Sequence, residues 1–449
     1  MSDTSGTKNA TPISRRRLLG TAGATGIALG TAGAAAGYAA GHAAASPDSP
    51  GSPGSDNPPL SSVGSTGVSF EGERQPGILT PAQSCGHLIA FDLAPGAGRK
   101  EAAALLRRWS TTARRLMDGK NGATGGNGKT GGNGATGEPG GDDLGIARDA
   151  GPSSLTVTFG FGRSFFSRTK LEKQRPGALD PLPDFSSDQL DPARSNGDLW
   201  VQIGANDALV AFEALRAIQR EAGDAARVRW QMNGFNRSPG ATARPMTSRN
   251  LMGQIDGTNN PKESDDDFEQ RIFVPRVPRE GEGPAWMAGG SYAVVRRIRM
   301  LLDDWDRLSL PDQENVIGRR KKDGAPLSAD PDGTETTEMD LDATGKDGKV
   351  LVAANAHARI SRPDQNGGAA MLRRAFSFHD GYDTGGVPDA GLLFVCWQAD
   401  PLRGFVPVQR KLDRGDALSA FIRHESSGLF AVPGGAGKGE YVGQRLLES

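Results

Sequence analysis

The sequence predicts an α+β protein made of two ferredoxin-like (βαββαβ) units packed together. Three observations carry that prediction. Over residues 87–232 the hydrophobic period switches between 2 and 3.6 in the order strand, helix, strand, strand, helix, strand. The same order returns with looser spacing over residues 292–432. The length of 449 residues suits two domains at roughly 100–200 residues each.

In the first unit, residues 87–93 (HLIAFDL) are strand-like, and residues 99–117 place Leu105, Trp109 and Leu116 on one helical face. Leu155, Val157, Phe159 and Phe161 alternate with Thr156, Thr158 and Gly160, the pattern of a half-buried strand. Residues 199–204 (LWVQIG) give another strand. Asn206 is placed to cap a helix carrying Leu209, Phe212, Leu215 and Ile218 on one face and stopping at Gly223. Residues 227–232 close the unit.

In the second unit, residues 292–302 predict a strand and residues 309–317 a helix, with Ser309 as its cap and Gly318 as its stop. Strands follow at residues 372–378, 392–398 and 428–432, with a helix at residues 414–422. Insertions at about residues 250–290 and 320–362 interrupt this second pass. Connecting segments on a rigid scaffold are where chemistry concentrates, so the site is sought there.

The predicted boundaries are 77–237 for the N-terminal domain, with a Gly-rich loop at 118–145, and 238–449 for the C-terminal domain. Ahead of them Ser14-Arg15-Arg16-Arg17-Leu18-Leu19 precedes an uncharged run that ends in Ala43-Ala44-Ala45. Residues 1–45 therefore read as a twin-arginine signal peptide, which predicts export to the periplasm, the cell surface or the medium. Residues 46–76, rich in Pro, Ser and Gly, read as a disordered leader. The repeat NGATGG, NGKTGG, NGATG over residues 121–137 reads as a surface loop. Its Gly-Lys-Thr is no phosphate site, because neither an apolar strand nor an amphipathic helix flanks it.

Composition excludes several functions. Lys plus Arg is 52 against 53 for Asp plus Glu, which gives no electrostatic footprint for nucleic acid. Two cysteines, Cys85 and Cys396, cannot supply a four-thiolate metal site; one disulfide stays open. The absence of CxxCH removes covalent c-type haem but not noncovalent haem.

Three short segments carry groups capable of chemistry. His357 lies in Asn355-Ala356-His357-Ala358-Arg359, where small neighbours would let a flat ligand approach the imidazole. Gly253, Asp256 and Gly257 form GxxDG, in which glycines allow a tight backbone presenting one carboxylate. Arg373 and Arg374 open a strand with side chains on opposite faces. An inward guanidinium is costly unless it meets an anion or a developing negative charge.

GxxDG at 253–257, AHARISRP at 356–363, LRRAFSF at 372–378 and GLLFVCWQ at 391–398 occur in that order. With GGSYAVVRRIRM, WDRLSLPDQENVIGR and GAPLS, they resemble the dye-decolourising peroxidase family, most nearly its exported deferrochelatase branch. The resemblance runs from about residue 77 to the C-terminus, apart from the glycine repeat. It implies two ferredoxin-like units with one noncovalent haem b per chain in the C-terminal unit. By motif, His357 corresponds to the proximal iron ligand and Asp416 to the carboxylate behind it. Asp256 and Arg373 correspond to the catalytic pair on the other face. By the same resemblance, Leu392 and Phe394 would narrow the distal pocket, and Gly257, Thr258, Asn259, Arg362, Pro363, Asp364 and Arg373 match positions that line the haem.

The implied activity is oxidation of dyes or other bulky aromatic donors by hydrogen peroxide through a ferryl intermediate. The alternative is a haem-handling component that releases iron from haem, working beside an iron-uptake lipoprotein and permease; a homodimer is compatible with either. Phe376 and Phe378 stand where the family often has tyrosines, which leaves tryptophans such as Trp305 or Trp397 to meet bulky dyes.

Overall fold

The alternation read along the chain becomes nine strands among the described residues, each antiparallel to its neighbours. They are β1 (Cys85–Leu93), β2 (Thr156–Gly162), β3 (Leu199–Ala205), β4 (Ala226–Phe235), β5 (Ser291–Met300), β6 (Leu372–Arg373), β7 (Phe376–Tyr382), β8 (Pro388–Gln398) and β9 (Ile422–Val432). The computed structural model describes residues 61–119, 144–242, 247–276 and 283–449. The signal peptide, residues 46–60 of the leader and the glycine repeat with its Gly-Lys-Thr lie outside the described residues.

The first half runs β2-β3-β1-β4 and the second β9-β5-β8-β7, so one ferredoxin-like connectivity occurs twice. The halves are joined edge to edge. Phe161 pairs with Ala431 and Gly162 with Phe430 between β2 and β9, and Phe235 pairs with Ser377 between β4 and β7. With β5 also paired to β8, the strands close into a ring, and the described residues fall in one compact unit.

Period two sorts the side chains. Leu88 and Ala90 enter the ring interior with Trp200, Val395, Trp397 and Phe430, whereas Ile89 and Phe91 join the core outside it. Trp200 stacks on Phe430 with ring centroids 5.3 Å apart, so the interior belongs to both halves. On the outer face of the first half lie α1 (Arg99–Met117) and α2 (Ala208–Ala222). Trp109 of α1 is fully buried between Phe91 and Phe159, and its Nε1–H donates to the Ile218 carbonyl at 2.9 Å. Over the second half lie α3 (Leu310–Ile317), α4 (His357–Ile360) and α5 (Phe405–Gly415). Ser309 caps α3 and Gly318, at φ 85°, ends it.

Several expectations need correction. Asp207 caps α2, its Oδ1 accepting from Leu209 and Val210 N–H, while Asn206 accepts from Ser84 N–H. Leu209 and Phe212 are 58% and 42% exposed; the buried stripe is Val210, Ala211, Ala214, Leu215 and Ile218, since alanines bring the helix close to the sheet. Where a helix is expected at 414–422, Ala417–Phe421 form a short 3-10 helix, and the long helix of this connection is α5, which ends at Gly415. Pro407 sits in its first turn, where the missing N–H costs nothing. The strand at 372–378 breaks into β6 and β7. The leader does not extend to 76, because Phe70 is buried and Glu71 bridges Ala436. Both cysteines are free.

Candidate active site

A cavity opens over the outer face of the second half-sheet. Its floor follows from strand periodicity. Leu392 and Phe394 of β8 and Ile298 of β5 point into it, while the intervening Leu393 and Val395 point into the ring. Val408 and Leu412 of α5, Leu418 and Ile317 add apolar wall.

His357, the first residue of α4, stands on one side. Its Nδ1 lies 2.7 Å from Asp416 Oδ2. The side chain of Asp416 is 1% exposed, and its other oxygen accepts the Leu418 N–H at 3.0 Å, capping the short turn Ala417–Phe421. Ala417 N–H also donates to the Asn355 carbonyl at 2.9 Å, which holds the two turns together. Burial disfavours charging the imidazole, but the Asp416 carboxylate outweighs it and the His357 pKa is raised. The carboxylate fixes the proton on Nδ1. Nε2 makes no hydrogen bond among the described residues and is left for a ligand.

In the same cavity, Asp256 Oδ1 accepts from Arg373 Nη1 at 3.0 Å, and Asp256 Oδ2 accepts from Asn250 Nδ2 at 3.3 Å. Gly253 and Gly257, at φ 78° and 120°, make the turn that presents this carboxylate and that other residues would strain. Arg373 is the inward member of its pair. Gly257, Thr258, Asn259, Arg362 and Pro363 also line the cavity. Asp364 does not: it is an exposed residue that accepts from Arg362 Nε at 2.9 Å. Trp305 and Trp397 are both fully buried, so neither offers a surface to a bulky donor.

Sequence reasoning missed three ionisable cavity residues. Arg319 donates to the Gly324 and Glu335 carbonyls, and burial lowers its pKa, with Arg362 and Arg373 adding to the effect. Arg296 of β5 is fully buried and ion-paired with Asp188. His424 of β9 is buried, and burial followed by Arg296 presses its pKa to about 3. The signal for the last two was the same period of two that exposed Leu392 and Phe394. An apolar-walled cavity with one buttressed imidazole, an acid paired with a guanidinium, and arginines among its other lining groups suits a flat iron macrocycle bearing carboxylates.

The family model described as "Dyp-type peroxidase, N-terminal" matches residues 75–236, and "Dyp-type peroxidase, C-terminal" matches residues 247–437. The chain is 45% identical over 384 residues to the dye-decolorizing peroxidase of Thermobifida fusca (strain YX), covering 83% of this chain and 84% of that one. It is 34% identical over 386 residues to the deferrochelatase of Escherichia coli (strain K12), covering 84% and 86%. Among solved structures, ferric DtpA from Streptomyces lividans aligns with a TM-score of 0.80 at 72% identity, covering 88% of this chain and all of that one.

Proposed function

The chain belongs to the Dyp-type peroxidase family, and from that premise we propose that it is an exported haem b peroxidase that uses hydrogen peroxide to oxidise dyes or other bulky aromatic donors. One observation carries the reading: a buttressed imidazole, His357–Asp416, and an acid–guanidinium pair, Asp256–Arg373, line one apolar-walled cavity.

His357 would hold the iron of one noncovalent haem through Nε2, with Asp416 keeping the ring oriented and electron-rich. Arg319 and Arg362 are the cations available to the haem carboxylates. Bound haem would supply the redox chemistry, taking oxidising equivalents from peroxide and passing them to the donor one electron at a time. Asp256 is placed to take the proton from one peroxide oxygen and deliver it to the other. Arg373 is permanently cationic; it stabilises the charge that builds on the departing oxygen and cannot act as the base. Leu392 and Phe394 keep the space above them narrow and dry. The twin-arginine segment supports export after folding.

Stopped-flow mixing of the purified holoprotein with peroxide tests this reading. Asp256→Ala and Arg373→Ala should each slow the peroxide step, by about 10²- to 10⁴-fold for the proton-transfer group. A protein with a Soret band that oxidises no dye with peroxide overturns it.

The 34% identity to a deferrochelatase favours a second reading, release of iron from haem within an uptake system that includes a lipoprotein and a permease. Intact porphyrin left after iron release, and gene-dependent growth on haem as sole iron source, support it; growth unaffected by loss of the gene removes it.

A further inference from the structure

Arg373 is held at two points by one turn of chain. Its guanidinium meets Asp256, and its backbone meets Asn260, four residues further on. Asn260 Nδ2–H donates to the Arg373 carbonyl at 3.0 Å, and Asn260 Oδ1 accepts the Arg373 N–H at 3.0 Å. β6 is only two residues long and pairs with β8 along one edge, Leu372 with Trp397 and Arg373 with Cys396. On its other edge a side-chain carboxamide stands where a neighbouring strand would be, offering one donor and one acceptor as a peptide unit does. The turn is suited to this. Gly257 has a φ of 120°, Asn260 N–H donates to the Gly257 carbonyl at 3.1 Å, and Pro261 biases Asn260 toward extended backbone.

We propose that Asn260 is a positioning residue for the peroxide step: by pairing with the Arg373 backbone it fixes the separation of Arg373 from Asp256. Asn259, its neighbour, is exposed and cannot take this part. The inference rests on the reading of Asp256 and Arg373 as the peroxide-cleaving pair. Misplacement by about 1 Å can cost on the order of 10²-fold in rate, and an arginine on a two-residue strand has little else to hold its backbone.

The test uses haem-loaded Asn260→Ala and Asn260→Asp. In Asn260→Ala the peroxide step should slow by about 10- to 100-fold, while the Soret band and the later return step with dye stay at wild-type values. Amide exchange gives a readout independent of turnover. Arg373 N–H should exchange at least about tenfold faster in Asn260→Ala, while Arg374 N–H, bonded to the Val395 carbonyl at 2.8 Å, stays protected. Asn260→Asp keeps the acceptor but sets a carboxylate against the Arg373 carbonyl. Its peroxide rate relative to wild type should recover as pH falls toward the ordinary carboxyl pKa of about 3.9, where the protonated acid again donates. If Asn260→Ala fails to hold haem, the isosteric Asn260→Asp carries the test. Unchanged peroxide rates in both variants, or unchanged Arg373 exchange, overturn the inference. When Asp256→Ala and Arg373→Ala are slow and the Asn260 variants are not, only this inference falls; when none is slow, the reading of the pair falls with it.

Discussion

In the N-terminal half, two helices of 19 and 15 residues lie over the outer face of the sheet, and the space between is filled by Trp109, Phe91, Phe159 and their neighbours. In the C-terminal half, the helices in the corresponding places have 8 and 11 residues, and the sheet beneath carries Arg296 and His424 among its outward side chains. The strand order is the same. What differs is the cover: long helices make a core, and short helices with loops inserted around them leave a hollow. On one scaffold the same outer face serves stability in one half and chemistry in the other.

The sharpest way to break that comparison is His357→Ala. The hollow should lose its haem entirely, with no Soret band in the purified protein, while the fold seen by far-ultraviolet circular dichroism persists. A retained, unchanged spectrum would mean that another residue holds the iron. Trp109→Ala should do the reverse, costing about 3–5 kcal/mol of stability by urea titration while haem-loaded protein keeps its spectrum. Asp416→Asn leaves the imidazole in place but weakens its support, so haem affinity should fall about 10- to 100-fold; equal affinities would reduce Asp416 to a helix cap. An effect confined to pH dependence belongs to His424. Held neutral with a pKa of about 3, it would titrate near 6.5 once unfolded. The unfolded chain therefore binds the extra proton between those values, and the stability present above about pH 6.5 declines as pH falls. In the haem-free protein, His424→Gln should flatten the dependence of Tm on pH between about 6.5 and 4; parallel curves would discount this group.

Much of this was legible from local pattern. GxxDG, the histidine among small residues and the paired arginines each announced a backbone or charge requirement, and the fold brings them around one cavity. Alternation along β8 was enough to send Leu392 and Phe394 to one side. What escaped depended on partners distant in sequence. The face of α2 was misread because alanines, not Leu209 and Phe212, set the approach to the sheet. Asp364 has the adjacent Arg362 to bond and so turns from the cavity. Asn260, unlike Asn259, carried no sequence signal; its partner is a two-residue strand with an open edge more than a hundred residues away. The edge pairings of β2 with β9 and β4 with β7 leave no periodic trace at all.

Those pairings bear on the order of events during synthesis. The inner faces of the two halves share one apolar cluster, with Trp200 against Phe430 and Trp397, and β9 is the last made of the nine described strands. At roughly 5–20 residues per second, the earlier strands wait many seconds with apolar surface uncovered before the partner that closes the ring emerges. Once assembled, the halves should melt as one cooperative body, with a single thermal transition.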